Sequence, residues 1–213
     1  LSNTNVPLAQ HGVLSRQTFE PAQLKTLVNA LGAHLVVKPV RQGSALGVTR
    51  VSDQQALTEA VALAFNYDDQ LLIEQRIIGR EMTVGILEHP GRTDAFPVIE
   101  IITPENSWYD FHHRYTQGAS DHIMPAEITP ALTAQLQAAA ITAHQCLGCR
   151  DLSRADFIVM ADNTFVLLEV NTLPGMTPTS LYPDGARGQG YAFDELLVHL
   201  IERACVRGTS SRH

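Results

Sequence analysis

The sequence lacks the features that mark membrane, secreted and disulfide-rich proteins. None of its apolar runs approaches the ~20 residues that a membrane-spanning helix needs. The first residues, Leu1–Asn5, have neither the basic start nor the apolar centre of a secretory signal peptide. Internal repeats, low-complexity segments and a clear interdomain linker are absent too. We therefore expect a cytoplasmic protein, built as one substantial domain or as two small lobes.

Positive charge is scarce as well. The 213 residues include 15 lysines and arginines against 22 aspartates and glutamates, which gives a formal net charge of −7. This balance argues against a nucleic acid or an anionic membrane as a partner, because both attract basic surfaces. It leaves a nucleotide open, since metal ions and a few local basic groups can hold phosphates.

Cysteine is rare, and its three positions form no metal or disulfide pattern. Cys146 and Cys149 have the spacing of a redox or zinc motif, but no second Cys or His pair lies at a matching offset. Because the pair follows a helical pattern, we interpret it as helix-end packing and assign it no function.

Strand and helix patterns are mixed along the chain without a regular βαβ alternation. This mixture indicates an α+β fold and not a doubly wound parallel sheet. Residues 1–19 are expected to be irregular, and residues 103–126 show no clear period, which is typical of a functional lid or of a disordered segment. A capping box of Ser52 and Gln55, beside Asp53, predicts the start of one helix. The predicted elements are helices at 21–31, 53–65, 131–147 and 193–204, and strands at 35–37, 71–74, 81–87 and 96–102.

The most informative segment is a pair of apolar strands joined by the turn Asp162-Asn163. If they form a hairpin, Asp156 lies opposite Glu169 and Arg154 lies opposite Asn171. Two carboxylates directly across a ladder repel each other, so the pattern indicates a cation between them. Carboxylate and amide oxygens suit Mg²⁺, which commonly binds through one or two carboxylates together with substrate phosphates. Two solvated carboxylates on an open sheet face are the alternative.

A glycine loop and two glutamates form a second candidate group. Lys38 ends an apolar strand and precedes the loop 43–47, whose backbone N–H groups could approach phosphate oxygens. The loop matches neither a Walker A motif nor the dinucleotide fingerprint, and a plain β-hairpin explains it equally well. Glu74 and Glu81 could accept hydrogen bonds from an adenine amino group and from ribose hydroxyls. Surface glutamates at strand ends are the alternative.

Together these residues resemble the ATP-grasp ligases, and among them the D-alanine–D-alanine ligases. The resemblance runs from about Leu35 to about Ala204. Its six ordered blocks are Lys38-Pro39-x-Arg41-x-Gly43-Ser44-x-x-Gly47, Leu72-Ile73-Glu74, Gly79-x-Glu81-x-Thr83-Val84, Tyr109-Asp110 with Tyr115, Arg154-x-Asp156, and Leu168-Glu169-x-Asn171-Thr172-x-Pro174-Gly175-Met176-Thr177-x-x-Ser180-Leu181.

The resemblance implies an ATP-grasp fold, in which two α+β lobes with antiparallel sheets enclose the nucleotide. It divides the chain into an N-terminal segment with a helix (1–34), a smaller lobe with the glycine loop (35–102), and a lid loop with the C-terminal lobe (103–213). The implied reaction uses ATP and two Mg²⁺ or Mn²⁺ ions. ATP phosphorylates one D-alanine, and a second D-alanine attacks the acyl phosphate to give a dipeptide for peptidoglycan synthesis.

The resemblance also implies a role for each matched residue. The ATP-binding residues would be Lys38, Gly43, Ser44, Gly47, Glu74, Glu81 and Arg114. The metal ligands would be Asp156, Glu169 and Asn171, with Glu169 bridging two ions. Arg154 and the backbone N–H of Gly175 would stabilise the oxyanion, and Ser44 and Tyr115 would order the lid. Ser180 and Leu181 would receive the second D-alanine.

Some positions depart from the family pattern. The lid pair is Arg114-Tyr115, where the family often has Lys-Tyr, and Gln42 and Gln75 replace a frequent Glu and Lys. The family's N-terminal domain binds the first D-alanine, and we expect it to be missing from this chain. The function alternatives are a non-catalytic or partner-dependent MgATP-binding module and a ligase that uses D-lactate. A homodimer and a separately supplied N-terminal domain stay open.

Overall fold

Antiparallel pairing builds both sheets of the molecule. The computed structural model describes residues 1, 4–104, 121–178 and 180–210. Its strands are β1 (His11–Ser15), β2 (Leu35–Pro39), β3 (Thr49–Val51), β4 (Gln70–Gln75), β5 (Arg80–His89), β6 (Arg92–Ala95), β7 (Ile99–Ile102), β8 (Asp121–Ile123), β9 (Leu152–Val159) and β10 (Phe165–Asn171). Its helices are α1 (Ala22–Leu31), α2 (Gln54–Ala64), α3 (Pro130–Cys146), α4 (Leu181–Gly188) and α5 (Phe193–Ser210). The predicted α+β class is confirmed.

The described residues form two compact units. The smaller unit holds residues 9–78, and the larger one holds the described residues of 1–8, 79–104 and 121–210. The boundary at Ile78 therefore differs from the expected division after residues 34 and 102. The difference has a topological cause, because β5 and β7 pair with each other in the sheet of the larger unit.

A four-stranded sheet with the order β1-β4-β2-β3 forms the smaller unit, and α1 and α2 pack against it. Alternation along β2 buries Leu35 and Val37 in the core and leaves Val36 and Lys38 on the other face. β1 lies within the segment that was predicted to be irregular, so that prediction is wrong. Its pairing with β4 is a long-range contact that short-range sequence patterns do not report.

The start of α2 corrects the predicted capping box. The N-cap is Asp53, whose Oδ1 accepts a hydrogen bond from the backbone N–H of Ala56 at 2.9 Å. Gln55 instead donates to Glu59 one turn later, at 3.1 Å. The cap is therefore one residue later than the Ser52–Gln55 pairing predicts.

Replacing the N-cap tests this assignment. Asp53→Ala is expected to lower the free energy of unfolding by about 1 kcal/mol, because the acceptor for a helix N–H is lost. Ser52→Ala, at an exposed neighbour, is expected to change it by less than about 0.5 kcal/mol. Urea denaturation followed by circular dichroism measures both, and a larger effect at Ser52 would reverse the assignment.

The larger unit has a sheet with the order β10-β9-β5-β7-β8, with β6 paired to β5. α3 covers one face, where Met82, Val84 and Phe157 are fully buried. Alternation places Thr83, Arg154 and Asp156 on the opposite face. The candidate polar residues of β5 and β9 therefore share one sheet face.

Helix α4 is fixed to the sheet by a buried tyrosine. Tyr182 is fully buried, and its hydroxyl donates to the carbonyl of Ile86 at 2.9 Å. Burial raises the pKa of Tyr182 well above its ordinary value, so the hydroxyl remains a donor. Because Tyr182 is the second residue of α4, this contact fixes the position of Ser180 and Leu181 at the helix start.

Two other strand predictions need correction. The strand expected at 96–102 begins only at Ile99, after Pro97, and β6 was not predicted. β8 lies inside the segment expected to be a lid loop. The rest of that segment, residues 105–120, lies outside the described residues. None of the described helices has the length and apolar character to cross a membrane.

The Cys-x-x-Cys pair lies at the end of α3, as predicted. Cys146 is exposed on the last turn, and Cys149 is half-buried. Burial raises the pKa of the Cys149 thiol, which keeps it protonated and weakly nucleophilic.

Candidate functional site

The acidic hairpin has the predicted pairing at its functional end. Asp156 pairs with Glu169, and Arg154 pairs with Asn171. Near the turn, the pairing of β10 with β9 is one residue out of the predicted register. A bulge between Leu167 and Glu169 restores the predicted register. Without this bulge Glu169 would face the other side of the sheet, because each strand residue alternates in direction.

A guanidinium group lies beside the buried carboxylate. Arg154 donates to Asp156 through Nε (2.8 Å to Oδ1) and Nη2 (2.7 Å to Oδ2). Both residues are buried, at 6% and 2% exposure. Thr83 Oγ1 donates to the same carboxylate at 2.6 Å. We expected a cation between the two carboxylates, and in this structure an arginine supplies positive charge to Asp156.

The donor set still fits a magnesium ion. Glu169 is exposed at the end of β10, and the side-chain oxygen of Asn171 accepts the backbone N–H of Leu173 at 3.0 Å. Two carboxylates and an amide match a hard cation that also binds phosphate oxygens. Among the described residues no group of three or more His, Cys, Asp or Glu side chains could hold a metal by itself. Because Arg154 donates to both oxygens of Asp156, a cation bound there has to share the carboxylate with Arg154.

The segment after β10 brings Gly175 against Ser180. A Cβ atom at Gly175 would lie 2.7 Å from Ser180 Oγ, so a side chain here would displace the serine hydroxyl. Ser180 Oγ also accepts the backbone N–H of Thr177 at 3.0 Å. Leu181 is buried at the start of α4, which leaves its side chain packed against protein. The exposed backbone of Gly175 and the half-buried Ser180 are thus held close together.

In the smaller unit, Lys38 and Glu74 form an ion pair. The Lys38 ammonium contacts the Glu74 carboxylate, and the side chains are 22% and 10% exposed. Val36 pairs with Glu74 across the β2–β4 ladder, so Lys38 lies diagonal to Glu74 on the sheet face opposite the core. Lys38, the predicted phosphate-binding residue, and Glu74, the predicted adenine acceptor, are therefore direct neighbours.

The glycine loop connects β2 to β3, which pair as an antiparallel hairpin. Its tip closes with a hydrogen bond from Leu46 N–H to the Gly43 carbonyl at 3.1 Å. The two central residues, Ser44 and Ala45, have φ values of 54° and 59°, in the left-handed region. The hairpin alternative is correct as a description of the backbone, and it leaves a phosphate-binding role open.

The remaining predicted residues are Glu81 and the residues of the predicted lid. Glu81 is half-buried on β5 of the larger unit, whereas Glu74 belongs to the smaller one. Arg114 and Tyr115, like Tyr109 and Asp110, fall outside the described residues.

Comparison with known proteins identifies the family. Residues 1–202 match the family described as the D-alanine–D-alanine ligase C-terminus. The chain belongs to this family. It is similar to the D-alanine–D-alanine ligase of Halalkalibacterium halodurans, with 48% identity over 168 residues that cover 78% of this chain and 55% of the relative. The ligase of Bordetella petrii is 40% identical over 201 residues, covering 92% of this chain and 61% of that relative.

Solved structures of such ligases share the fold. The VanG D-Ala:D-Ser ligase from Enterococcus faecalis superposes with a TM-score of 0.81 at 33% identity, over 92% of this chain and 57% of that one. The D-alanine–D-alanine ligase from Coxiella burnetii gives 0.79 at 29% identity, over 98% and 55%. The chain therefore has the α+β ATP-grasp fold. It spans between 55% and 61% of these four proteins.

Two residues of this ligase region were missed as contributors to the site. Thr83 binds Asp156, but only the β5–β9 pairing reveals this, since 73 residues separate them. Asp68 is buried and binds Arg41 at the start of the glycine loop, although its sequence setting is an ordinary polar turn. Neither has a local sequence signal.

Proposed function

We propose that this chain is the ATP-using portion of a ligase that joins two D-alanines through an acyl phosphate. The observation that carries the proposal is the paired Asp156 and Glu169, with Arg154 beside them, in a chain of the ligase family. The full activity belongs to a protein longer than these residues, with an N-terminal region for the first D-alanine. We place this activity in the cytoplasm, where ATP is available.

The smaller unit is proposed to bind the nucleotide. Lys38 provides the positive charge for the phosphates, and the backbone N–H groups of Gly43, Ser44 and Gly47 surround them. Glu74 accepts from the adenine amino group. Since Lys38 is paired with Glu74 in this structure, its ammonium has to turn from carboxylate to phosphate when ATP binds.

The larger unit is proposed to hold two magnesium ions through Asp156, Glu169 and Asn171. When bound, these ions neutralise the charge that develops on the transferred phosphoryl group. Thr83 and Arg154 orient the Asp156 carboxylate through three hydrogen bonds. The buried site keeps this orientation before any ligand arrives.

The bond-forming step is proposed to rely on Arg154, Gly175 and Ser180. Two N–H groups of Arg154 are directed to Asp156, which fixes the plane of the guanidinium. Its charge and the backbone N–H of Gly175 stabilise the tetrahedral oxyanion. Ser180, with the backbone of Leu181, receives the second D-alanine.

The reaction can be tested directly. The chain is combined with the N-terminal region of the Halalkalibacterium halodurans relative and incubated with MgATP and D-alanine. We expect release of ADP and phosphate and formation of the dipeptide. D-serine and D-lactate serve as competing second substrates, because one structural neighbour is a D-Ala:D-Ser ligase. Nucleotide binding without turnover for any of the three would support the non-catalytic alternative and reject the proposed ligation.

Removing the proposed phosphate-binding charge is a second test. Lys38→Met is expected to raise the Kd of MgATP by about tenfold to a hundredfold, because a hydrogen bond to a charged group contributes roughly 1.5–3 kcal/mol. Isothermal titration calorimetry on the 213-residue chain measures this. Lys25→Met serves as the control, because Lys25 is the only other lysine of the sequence and lies on the exposed side of α1. Equal affinities of both variants would exclude Lys38 from the phosphate site.

A further inference from the structure

The segment that leads into the glycine loop, Arg41-Gln42, is bound to a buried aspartate and to its neighbour. The backbone N–H of Arg41 donates to Asp68 Oδ2 at 2.7 Å, and Arg41 Nη2 contacts Oδ1 at 3.0 Å. Gln70 N–H donates to Oδ1 at 3.1 Å. Only 3% of the Asp68 side chain is exposed, while 68% of the Arg41 side chain is. The aspartate is therefore the fixed partner, and the loop is attached to it.

Both ends of the loop meet the segment Tyr67-Asp68. At the start, Gln42 Nε2 donates to the carbonyl of Tyr67 at 3.0 Å. At the far end, Gly47 has a φ of 73°, and a Cβ there would lie 2.8 Å from the Tyr67 ring and 2.9 Å from Pro39. Only glycine can bring the chain this close in that conformation. One short segment thus holds the beginning and the end of the loop.

The middle of the loop is under strain, in contrast to its ends. Ser44 and Ala45 adopt left-handed conformations that residues with a Cβ rarely take. Such conformations persist when the surrounding structure enforces them. Here the two fixed ends of the loop supply that constraint.

We propose that Asp68 is a positioning residue that fixes the base of the glycine loop, so that the loop N–H groups are arranged for phosphate before the nucleotide binds. The phosphate role of the loop rests on the proposed function, whereas the attachment of the loop to Asp68 does not. The backbone N–H groups of Gln70 and Arg41, in that order, hold the pKa of Asp68 below its ordinary value. The carboxylate is consequently ionised, and accepts from the loop, throughout the neutral range.

The test compares two neighbouring aspartates in the 213-residue chain. Asp68→Asn leaves one acceptor oxygen where there were two and removes the charge, so the Arg41 N–H and the Gln70 N–H cannot both be accepted and the ion pair with the Arg41 guanidinium is lost. Asp69→Asn is the matched control, because its carboxylate also binds an arginine, Arg16 at 2.6 Å, but is 69% exposed and away from the loop. We expect the Kd of MgATP to rise about tenfold in Asp68→Asn, the order of effect for loss of one hydrogen bond to a charged group, and to stay unchanged in Asp69→Asn.

Limited trypsin digestion without nucleotide provides a local readout. Cleavage after Arg41 is expected to accelerate in Asp68→Asn relative to cleavage after Arg76, which lies in the same unit at the end of β4. Equal acceleration at both sites would indicate general unfolding and would overturn the proposal. So would an unchanged ratio, or an unchanged Kd in a chain that binds MgATP.

A milder variant guards against misfolding of Asp68→Asn. Gln42→Met removes the exposed donor to Tyr67 without touching the buried carboxylate. We expect the same change in the tryptic ratio, but a smaller one. If the unaltered chain binds no nucleotide, the proposed nucleotide site fails, while the tryptic ratio still decides whether Asp68 holds the loop.

Discussion

Replacing Glu169 with glutamine is expected to reduce phosphoryl transfer by about 10³-fold, since metal-held charge neutralisation contributes several kcal/mol to such transition states. Glu169 lies opposite Asp156 at the end of the hairpin and is exposed. The substitution keeps the size of the side chain and removes its charge, so the free energy of unfolding should change by less than about 0.5 kcal/mol. Single-turnover release of ADP by the completed ligase measures the effect.

The matched control for this prediction lies on the same hairpin. Asp162 is exposed in the turn, where it accepts hydrogen bonds from Thr164 and is far along the strand from Glu169. Asp162→Asn should leave ADP release unchanged. Binding of Mn²⁺, followed by electron paramagnetic resonance, should weaken in Glu169→Gln alone. Undiminished Mn²⁺ binding and turnover in Glu169→Gln would remove this residue from the proposed metal site.

The companion variant Asp156→Asn should be coupled to Glu169→Gln. The two carboxylates are proposed to act in one metal site, so the double variant should lose little more than the worse single variant. Asp156→Asn should also destabilise the protein, because Arg154 is buried at 6% exposure and would lose its charged partner. Additive losses in rate would indicate that the two residues act separately.

Truncating Phe157 is expected to destabilise the larger unit by about 3–5 kcal/mol, the usual cost of Phe→Ala in a packed core. Phe157 is fully buried on β9, on the face covered by α3, and its ring meets Phe165 edge-on with centroids 5.7 Å apart. The variant leaves a cavity behind Asp156, the preceding residue of β9, whose side chain lies on the other face.

Urea denaturation and hydrogen exchange of the β9 amides test this expectation. Phe193→Ala is the control, since Phe193 is 49% exposed at the start of α5 and should cost much less. Protection should fall in β9 and β5 but persist in β2 and β4, which belong to the smaller unit. Equal costs for both phenylalanines would contradict the packing described for this sheet.

The hairpin shows how far local patterns reach. Alternation along two apolar strands, joined by a short polar turn, predicted the pairing of Asp156 with Glu169, and this pairing is confirmed. The bulge that produces it could not be predicted. The bulge depends on the pairing of β10 with β9 and on the bridge between Leu8 and Leu167 on the other side of β10. The turn sequence does not encode either contact.

The strand β1 shows the opposite case. Its sequence, His11–Ser15, has little β signal, and it forms because the edge of β4 accepts it through a ladder that begins at His11 and Glu74. β6 is similarly short, follows the turn at residues 90–91, and pairs with residues 86–89 of β5, past the part of β5 that pairs with β7. Short edge strands are determined by a neighbouring edge, and sequence windows do not include that neighbour.

Local sequence patterns predicted four of the five described helices, the longer strands, the α+β class and the chemical types grouped at the ends of the acidic hairpin, but not helix α4 (Leu181–Gly188). Those features depend on periodicity and residue type, which are local. Three contacts are visible only in the folded chain: Arg154 and Thr83 hold Asp156, Lys38 is paired with Glu74, and Asp68 binds the segment that leads into the glycine loop. Most of these contacts join residues on separate strands or turns, and the Arg154–Asp156 contact depends on side-chain rotamers within one strand. They form because buried polar groups need hydrogen-bond partners.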